Sequence, residues 1–427
     1  VLALCAGTAL IITGCQENLS GGAACPALCP DTLTLRDTVL FGHEMIDTAA
    51  TVHGAPPLGA EPSILLADYV RGGDRIRTVG VLRFDSLQRA TTINNVVQGF
   101  ERVENSTLTI SVLPPPAGMD TVVVRDTVVT FLVYDVNSDA SDPDTAAVRA
   151  RLTSAPIATH TVLRDSLSGS VTISLDTAFV GEHVRSGTRM RLGIAVQSDS
   201  NVQVRIGTVE GSRSATLHYV GFVGTNQTGV DFGVNTRSAV GPAFLGLADY
   251  QLVLQGTPPP PSDVLAIGGI PSSRVFIRFS LPAALIDSST TVVRANLELH
   301  QQGNPLFSST DTVALLTRVV RATNTVTDLA KASMLSVDPA TISFQFRVPN
   351  LLVSPAETRL DTIPLANLFT LWKQEGRGSV QRAIVLESSA EGFDPRQYYL
   401  FSLAAPVDSL RPRLRISYIP RSGFGLP

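Results

Sequence analysis

The chain has few charges, few aromatic rings and few cysteines for its 427 residues, and each shortage removes a class of explanation. Asp, Glu, Lys and Arg together make up only 16%, too little for long solvated helices. Lys and Arg form no run and the net charge is -4, so the basic footprint that phosphate backbones require is missing. Nucleic acid is therefore not expected as a partner. Aromatics are 6%, with a single Trp, and most are Phe spaced as core. No G-x-S-x-G, H-E-x-x-H, G-x-x-x-x-G-K-[ST] or G-x-G-x-x-G follows a suitable strand, so the common hydrolase, zincin and nucleotide signatures are absent. His43-Glu44, His53 and Glu182-His183 read as surface or loop residues. A non-enzymatic protein is expected; a hydrolase or lyase on a sandwich scaffold would need carboxylates gathered in one groove, which sequence order does not reveal.

What the chain has is Thr, Val, Ser and Leu in short runs, the residues of pleated, half-buried strands. Such runs recur from Thr32 to Val220, and a second series runs from Asp263 to Ile419, separated by Gly, Pro, Asp and Asn. The length suggests two or three domains. The expected class is all-β: two jelly-roll-like β-sandwich domains in tandem, over residues 32–222 and 244–420, with a Gly/Asn/Thr-rich linker at 223–243 and a tail at 421–427. Pro258 to Pro261 are expected to stiffen a connection inside the second domain.

Landmarks recur in the same order in both series. Val81-Leu82-Arg83-Phe84-Asp85 answers Phe276-Ile277-Arg278-Phe279-Ser280, and Asp126-Thr127-Val128 answers Asp311-Thr312-Val313. Leu175-Asp176-Thr177 answers Leu360-Asp361-Thr362, and Ala215-Thr216-Leu217-His218-Tyr219 answers Leu414-Arg415-Ile416-Ser417-Tyr418. An internal duplication is the expectation, with shared strand composition as the alternative. In the second half Leu365, Leu368, Phe369 and Trp372 fall on one helical face after Pro364. They predict a short helix capping the sandwich, with Trp372 in the core rather than serving as a sugar platform.

The first fifteen residues form an apolar run too short to span a bilayer, ending in small residues as a signal peptide does. Ile12-Thr13-Gly14-Cys15 resembles the bacterial lipobox. The resemblance implies a signal peptide over residues 1–14, lipid attachment at Cys15, and a membrane partner reached through the lipid without a spanning helix. Gln16 in place of Asp implies the outer membrane. Residues 15–31, rich in Gly, Ala, Pro and Ser, read as a tether. Cys25 and Cys29 in an oxidising compartment suggest a disulfide; free thiols or a metal half-site are the alternatives.

The second half carries Leu265-Ala266-Ile267-Gly268, Arg278-Phe279-Ser280-Leu281, Ala295-Asn296-Leu297-Glu298-Leu299, Trp372 and Pro412-Arg413-Leu414-Arg415-Ile416-Ser417-Tyr418. From Leu265 to Tyr418 it resembles the bacterial DNRLRE-type β-sandwich, counted among carbohydrate-binding modules. The first half keeps Arg83-Phe84-Asp85 and Tyr219 but has no Trp, and Ser280 replaces the family's Asp. The resemblance implies a binding or structural module for polysaccharide; adhesion to another envelope protein is the rival. By strand alternation Arg83 and Arg278 read as structural.

Two sets of candidate ligand residues remain. Asp135, Asn137, Asp139, Asp142 and Asp144 set oxygen ligands at near-alternate positions, as a structural Ca²⁺ loop needs, although Ala140 and Ala146 break the EF-hand pattern and a solvated turn is the other reading. Tyr69, Tyr134, Tyr398 and Tyr399 are the candidate glycan contacts. Alternation sends Tyr398 and Tyr399 to opposite faces, so one of them is expected to face solvent.

Overall fold

The computed structural model describes residues 35–71, 73–85, 87–114, 128–137, 145–199, 201–224, 229–236, 247–286, 290–337, 347–374 and 380–420. The signal segment, Cys15, Cys25, Cys29 and the tether lie outside the described residues. The described residues open with an arm of two strands, β1 (Arg36–Phe41) and β2 (Ile46–Ala55), joined by the single turn α1 (Gly42–Met45). There follow β3 (Ser63–Arg71), β4 (Asp74–Phe84), a separate hairpin of β5 (Ala90–Ile93) and β6 (Val96–Gly99), β7 (Arg102–Leu113), β8 (Val128–Asp135), α2 (Thr145–Arg151) and β9 (Ala158–Leu163). Next come β10 (Gly169–Ser174), α3 (Thr177–Ser186), β11 (Met190–Gln197), β12 (Val202–Gly207), β13 (Thr216–Phe222), β14 (Val230–Asn235) and β15 (Asp249–Gln255). The second series is β16 (Val264–Gly268), β17 (Ser272–Phe279), α4 (Ala283–Ile286), β18 (Thr290–Gln302), β19 (Val313–Val320), α5 (Leu329–Met334), β20 (Ser336–Val337), β21 (Leu351–Val353), β22 (Leu360–Pro364), α6 (Ala366–Gln374), β23 (Ala383–Ser388), β24 (Gln397–Phe401) and β25 (Arg413–Pro420).

The protein is all-β and sandwich-like, with large antiparallel sheets and short helices. Period-2 alternation builds the half-buried strands: in β7, Leu108, Ile110 and Val112 are buried while Thr107, Thr109 and Ser111 stay partly open. Strands covered on both faces read as continuous apolar runs instead, as in β16, buried from Val264 to Gly268. The first sheet runs β14-β13-β7-β12-β3-β4-β11-β8-β9, with β10 on β7 and β15 on β4. The second runs β1-β25-β18-β24-β16-β17-β23-β19-β20, with β22 on β18, β2 on β17 and β21 on β19. Taken in chain order, β3 to β13 without the β5–β6 hairpin and β16 to β25 without β21 occupy corresponding places in the two sheets; β21, on β19, has no counterpart in the first.

Three of the four sequence landmarks fall at matching places: the ends of β4 and β17, the starts of β8 and β19 at Val128 and Val313, and the closing strands β13 and β25. The fourth does not. Asp176 caps α3, accepting the Ala178 N–H at 2.9 Å, whereas Asp361 lies inside β22.

The expected domain limits are crossed twice. Residues 36–55, assigned to the first domain, pair in the second sheet, with β1 against β25 and β2 against β17. Residues 230–235, assigned to the linker, form β14 on β13, and β15, assigned to the second domain, pairs with β4 of the first sheet. Pro258 to Pro261 consequently join the two units rather than stiffening one of them. Sequence runs locate strands but not the sheet they join, because antiparallel pairing depends on long-range contacts.

Each unit has its own interior. That of the N-terminal unit centres on Ile64, Leu66, Leu82, Phe84, Phe131 and Tyr219; that of the C-terminal unit includes Met45, Ile277, Leu297, Leu365, Phe369 and Leu414. The predicted helix is α6. Leu365, Leu368, Phe369 and Trp372 are all buried in that interior, and the Trp372 ring lies 5.5 Å from Phe279 and 5.7 Å from Phe369. Trp372 is core, as its place on the apolar stripe predicts. A further cluster joins the units: Leu65, Ala67, Tyr69 and Ile76 pack with Ile270, Ala390 and Phe393.

Candidate functional site

A cleft of about 390 Å³ opens where the end of the β3–β4 hairpin meets β8, β11 and the turn into β12. Asp68, Tyr69, Val70, Arg75, Arg77, Gln197, Asp199 and Asn201 contribute to its wall, with Leu132 and Val196 as its apolar part. The register places Asp68 opposite Arg77 and Tyr69 opposite Ile76. Period 2 therefore gathers Asp68, Arg75 and Arg77 on one face and sends Tyr69 and Ile76 to the other, into the cluster between the units. Arg75 binds Asp68 as a fork, with both bonds at 2.7 Å. Asp68 raises the basicity of that guanidinium by hydrogen bond and charge. The Asn201 amide ties down β3, accepting from Val70 N at 2.8 Å and donating to Val70 O at 3.0 Å. Arg77, Gln197 and Asp199 are left to present polar groups at the rim.

The four tyrosines do not form a glycan platform, and the expectation of an exposed ring is corrected: Tyr69, Tyr134, Tyr398 and Tyr399 are 4%, 8%, 1% and 7% exposed. Alternation does send Tyr398 and Tyr399 to opposite faces. Tyr398 enters the interior of the C-terminal unit and donates its hydroxyl to Asp361, and burial followed by that carboxylate drives its pKa far up. On the opposite face from Tyr398, Tyr399 and Phe401 pack together with Val264 and Ala266, so both faces of β24 are covered. Tyr134 packs with Val148 of α2 and Tyr250. Of the four, only Tyr69 touches the cleft.

In the Asp-rich segment, Asn137 N donates to Asp135 Oδ1 at 2.9 Å and Asn137 Nδ2 donates to Arg189 O at 3.1 Å, a side-chain-stabilised turn. Asp139, Asp142 and Asp144 lie outside the described residues. Among the described residues no three His, Cys, Asp or Glu converge as a metal site. His53 bonds Ser273 Oγ at 2.9 Å, His183 bonds Thr188 Oγ1 at 2.9 Å, and Glu44 accepts the Phe41 N–H at 2.8 Å. Arg83 is buried against Asp85 at 2.7 Å, and Arg278 reaches across to Asp47 of the arm at 2.8 Å. Both arginines hold strands in place.

Sequence reasoning missed Asp68, Arg75, Arg77 and Asp199. The available signal was Arg75-Ile76-Arg77, two like charges at period 2 just ahead of the apolar run Val79 to Leu82, which marks a locally open face.

No protein-family model matches the chain, and no curated protein matches it. Among solved structures, the T13 IBDV viral particle aligns at 10% identity over 95% of this chain and 78% of the other, with a TM-score of 0.13. The infectious bursal disease virus Gx strain aligns at 10% identity over 92% and 78%, again with a TM-score of 0.13. At that score the alignments carry no argument. The fold itself defines the class, an all-β protein of sandwich-like antiparallel sheets.

Proposed function

We propose that the chain is a non-catalytic cell-envelope lipoprotein whose N-terminal unit recognises polysaccharide in the cleft at the end of β3 and β4. The observation that carries this reading is the cleft itself. Its volume lies in the range of small-ligand sites, about 300–1,000 Å³, and its rim offers cationic, anionic and amide groups suited to sugar hydroxyls. Binding there rests on hydrogen bonds, since no candidate tyrosine ring is open for stacking. Catalysis fits less well, because both oxygens of Asp68 are taken by Arg75. Adhesion to an envelope protein is the second reading, favoured by Val96 and Val97 of the β5–β6 hairpin, 57% and 73% exposed.

Electrophoresis through gels carrying dissolved polysaccharides tests the binding. Retardation of the soluble chain, residues 16–427, that is lost in Arg77→Ala supports the cleft; equal mobility of both proteins in every gel argues for the adhesive reading. Anchoring rests on the lipobox resemblance at Cys15. Cys15→Ala should move the protein from the membrane fraction to the soluble one, and retention in the membrane would exclude the lipid.

A further inference from the structure

We propose that the two units are copies of one fold that have exchanged their leading arms, and that this exchange, more than the connecting chain, holds them together. In chain order each unit is preceded by two strands: β1 and β2 before β3, β14 and β15 before β16. Neither pair joins the unit it precedes. β14 and β15 add to β13 and β4 of the N-terminal unit, and β1 and β2 add to the corresponding β25 and β17 of the C-terminal unit. A Gly-x-Pro-Pro pattern recurs where each arm gives way to the connection, Gly54-Ala55-Pro56-Pro57 at the end of β2 and Gly256-Thr257-Pro258-Pro259 directly after β15. Proline fixes φ and withholds a donor, which ends strand pairing there.

The first arm completes its host. Met45 and Ile46 lie in the interior of the C-terminal unit, and Val52 packs on Phe276 and Val385 on the outer face of that sheet. Thr51 Oγ1 accepts the Ala266 N–H at 3.0 Å, Asp47 pairs with Arg278, and His53 bonds Ser273. The second arm returns the favour in kind: Tyr250 and Leu252 are buried with Val79 and Val81, Gln251 Oε1 accepts the Leu65 N–H at 2.7 Å, and Phe232 lies 5.3 Å from Phe100. These contacts involve strands and side chains, not the connections. The partner that fits the β17 and β25 edges is therefore this arm, from the same chain or from a second copy. The arm of the same chain is favoured by an effective concentration on the order of millimolar for a short connection.

The test is to insert a protease site between Leu58 and Gly59 and cut the folded full-length protein. The proposal expects residues up to Leu58 to co-elute with the remainder in native gel filtration and to part from it only in denaturant. When two cut proteins with distinguishable arms are unfolded together and refolded, the arms should distribute equally between the two bodies. An arm that leaves on cutting, with the unfolding transition seen by Trp372 unchanged, overturns the proposal. Should the insertion disturb folding, amide exchange of the unaltered chain decides. Protection of residues 46–55 within about tenfold of that of β17 supports the proposal, and an arm that exchanges a hundredfold or more faster contradicts it.

Discussion

Glu61 sits in the segment that leads from the first arm into the N-terminal unit, and Asp249 opens β15; both carboxyls are buried. Burial pushes Glu61 up to about 7 against the hydrogen bonds it accepts, including Gly59 N at 2.6 Å. Asp249 is raised by burial first and by the neighbouring Glu210 next. A carboxyl whose folded pKa lies above its unfolded value contributes stability that is complete below the unfolded pKa and is lost as pH rises through the folded one. The melting temperature should therefore fall between about pH 4.5 and 7, with Glu61 accounting for on the order of 3 kcal/mol. Glu61→Gln should flatten that slope in thermal melts taken across this range; an unchanged slope would contradict the assignment. Trp372→Ala should cost about 3–5 kcal/mol in denaturant titrations, because the ring is enclosed by Phe279 and Phe369. The role of Trp372 was legible because four apolar residues shared one helical face. The roles of Tyr398 and Tyr399 were not, since alternation assigns faces but says nothing of what covers them.

At the scale of elements, β7, β11, β13, β18 and β25 announce themselves by β-branched runs or alternation. The arms do not. β2 reads Ile-Asp-Thr-Ala-Ala-Thr-Val-His-Gly-Ala, with small and polar residues where a self-sufficient strand would carry larger apolar ones, because the host sheet supplies most of the packing. β14 alternates polar and half-buried positions within a stretch whose Gly and Asn suggested a linker. Thr51→Pro would place a ring in the β2–β17 ladder opposite Val275. It should lower the transition reported by Trp372 fluorescence, in the C-terminal unit, although residue 51 precedes the N-terminal unit in the chain. A loss confined to the N-terminal unit would contradict the pairing.

For the whole molecule, composition was enough to define the class, and the two strand series anticipated two interiors. The division between them was hidden because reciprocal pairing leaves no compositional mark at the boundary. The cleft was hidden for a related reason: Asp68 and Arg75 are close in sequence, but Gln197, Asp199 and Asn201 reach them only through the pairing of β11 with β4 and of β12 with β3. The central claim, that this cleft binds polysaccharide without chemistry, is tested most directly by a glycan-array screen of residues 16–427 beside the Arg77→Ala and Asp199→Ala variants. A reproducible hit on the parent that both variants weaken at least tenfold, with the glycan recovered intact, is the expected result; no hit, or a hit that neither variant alters, contradicts it.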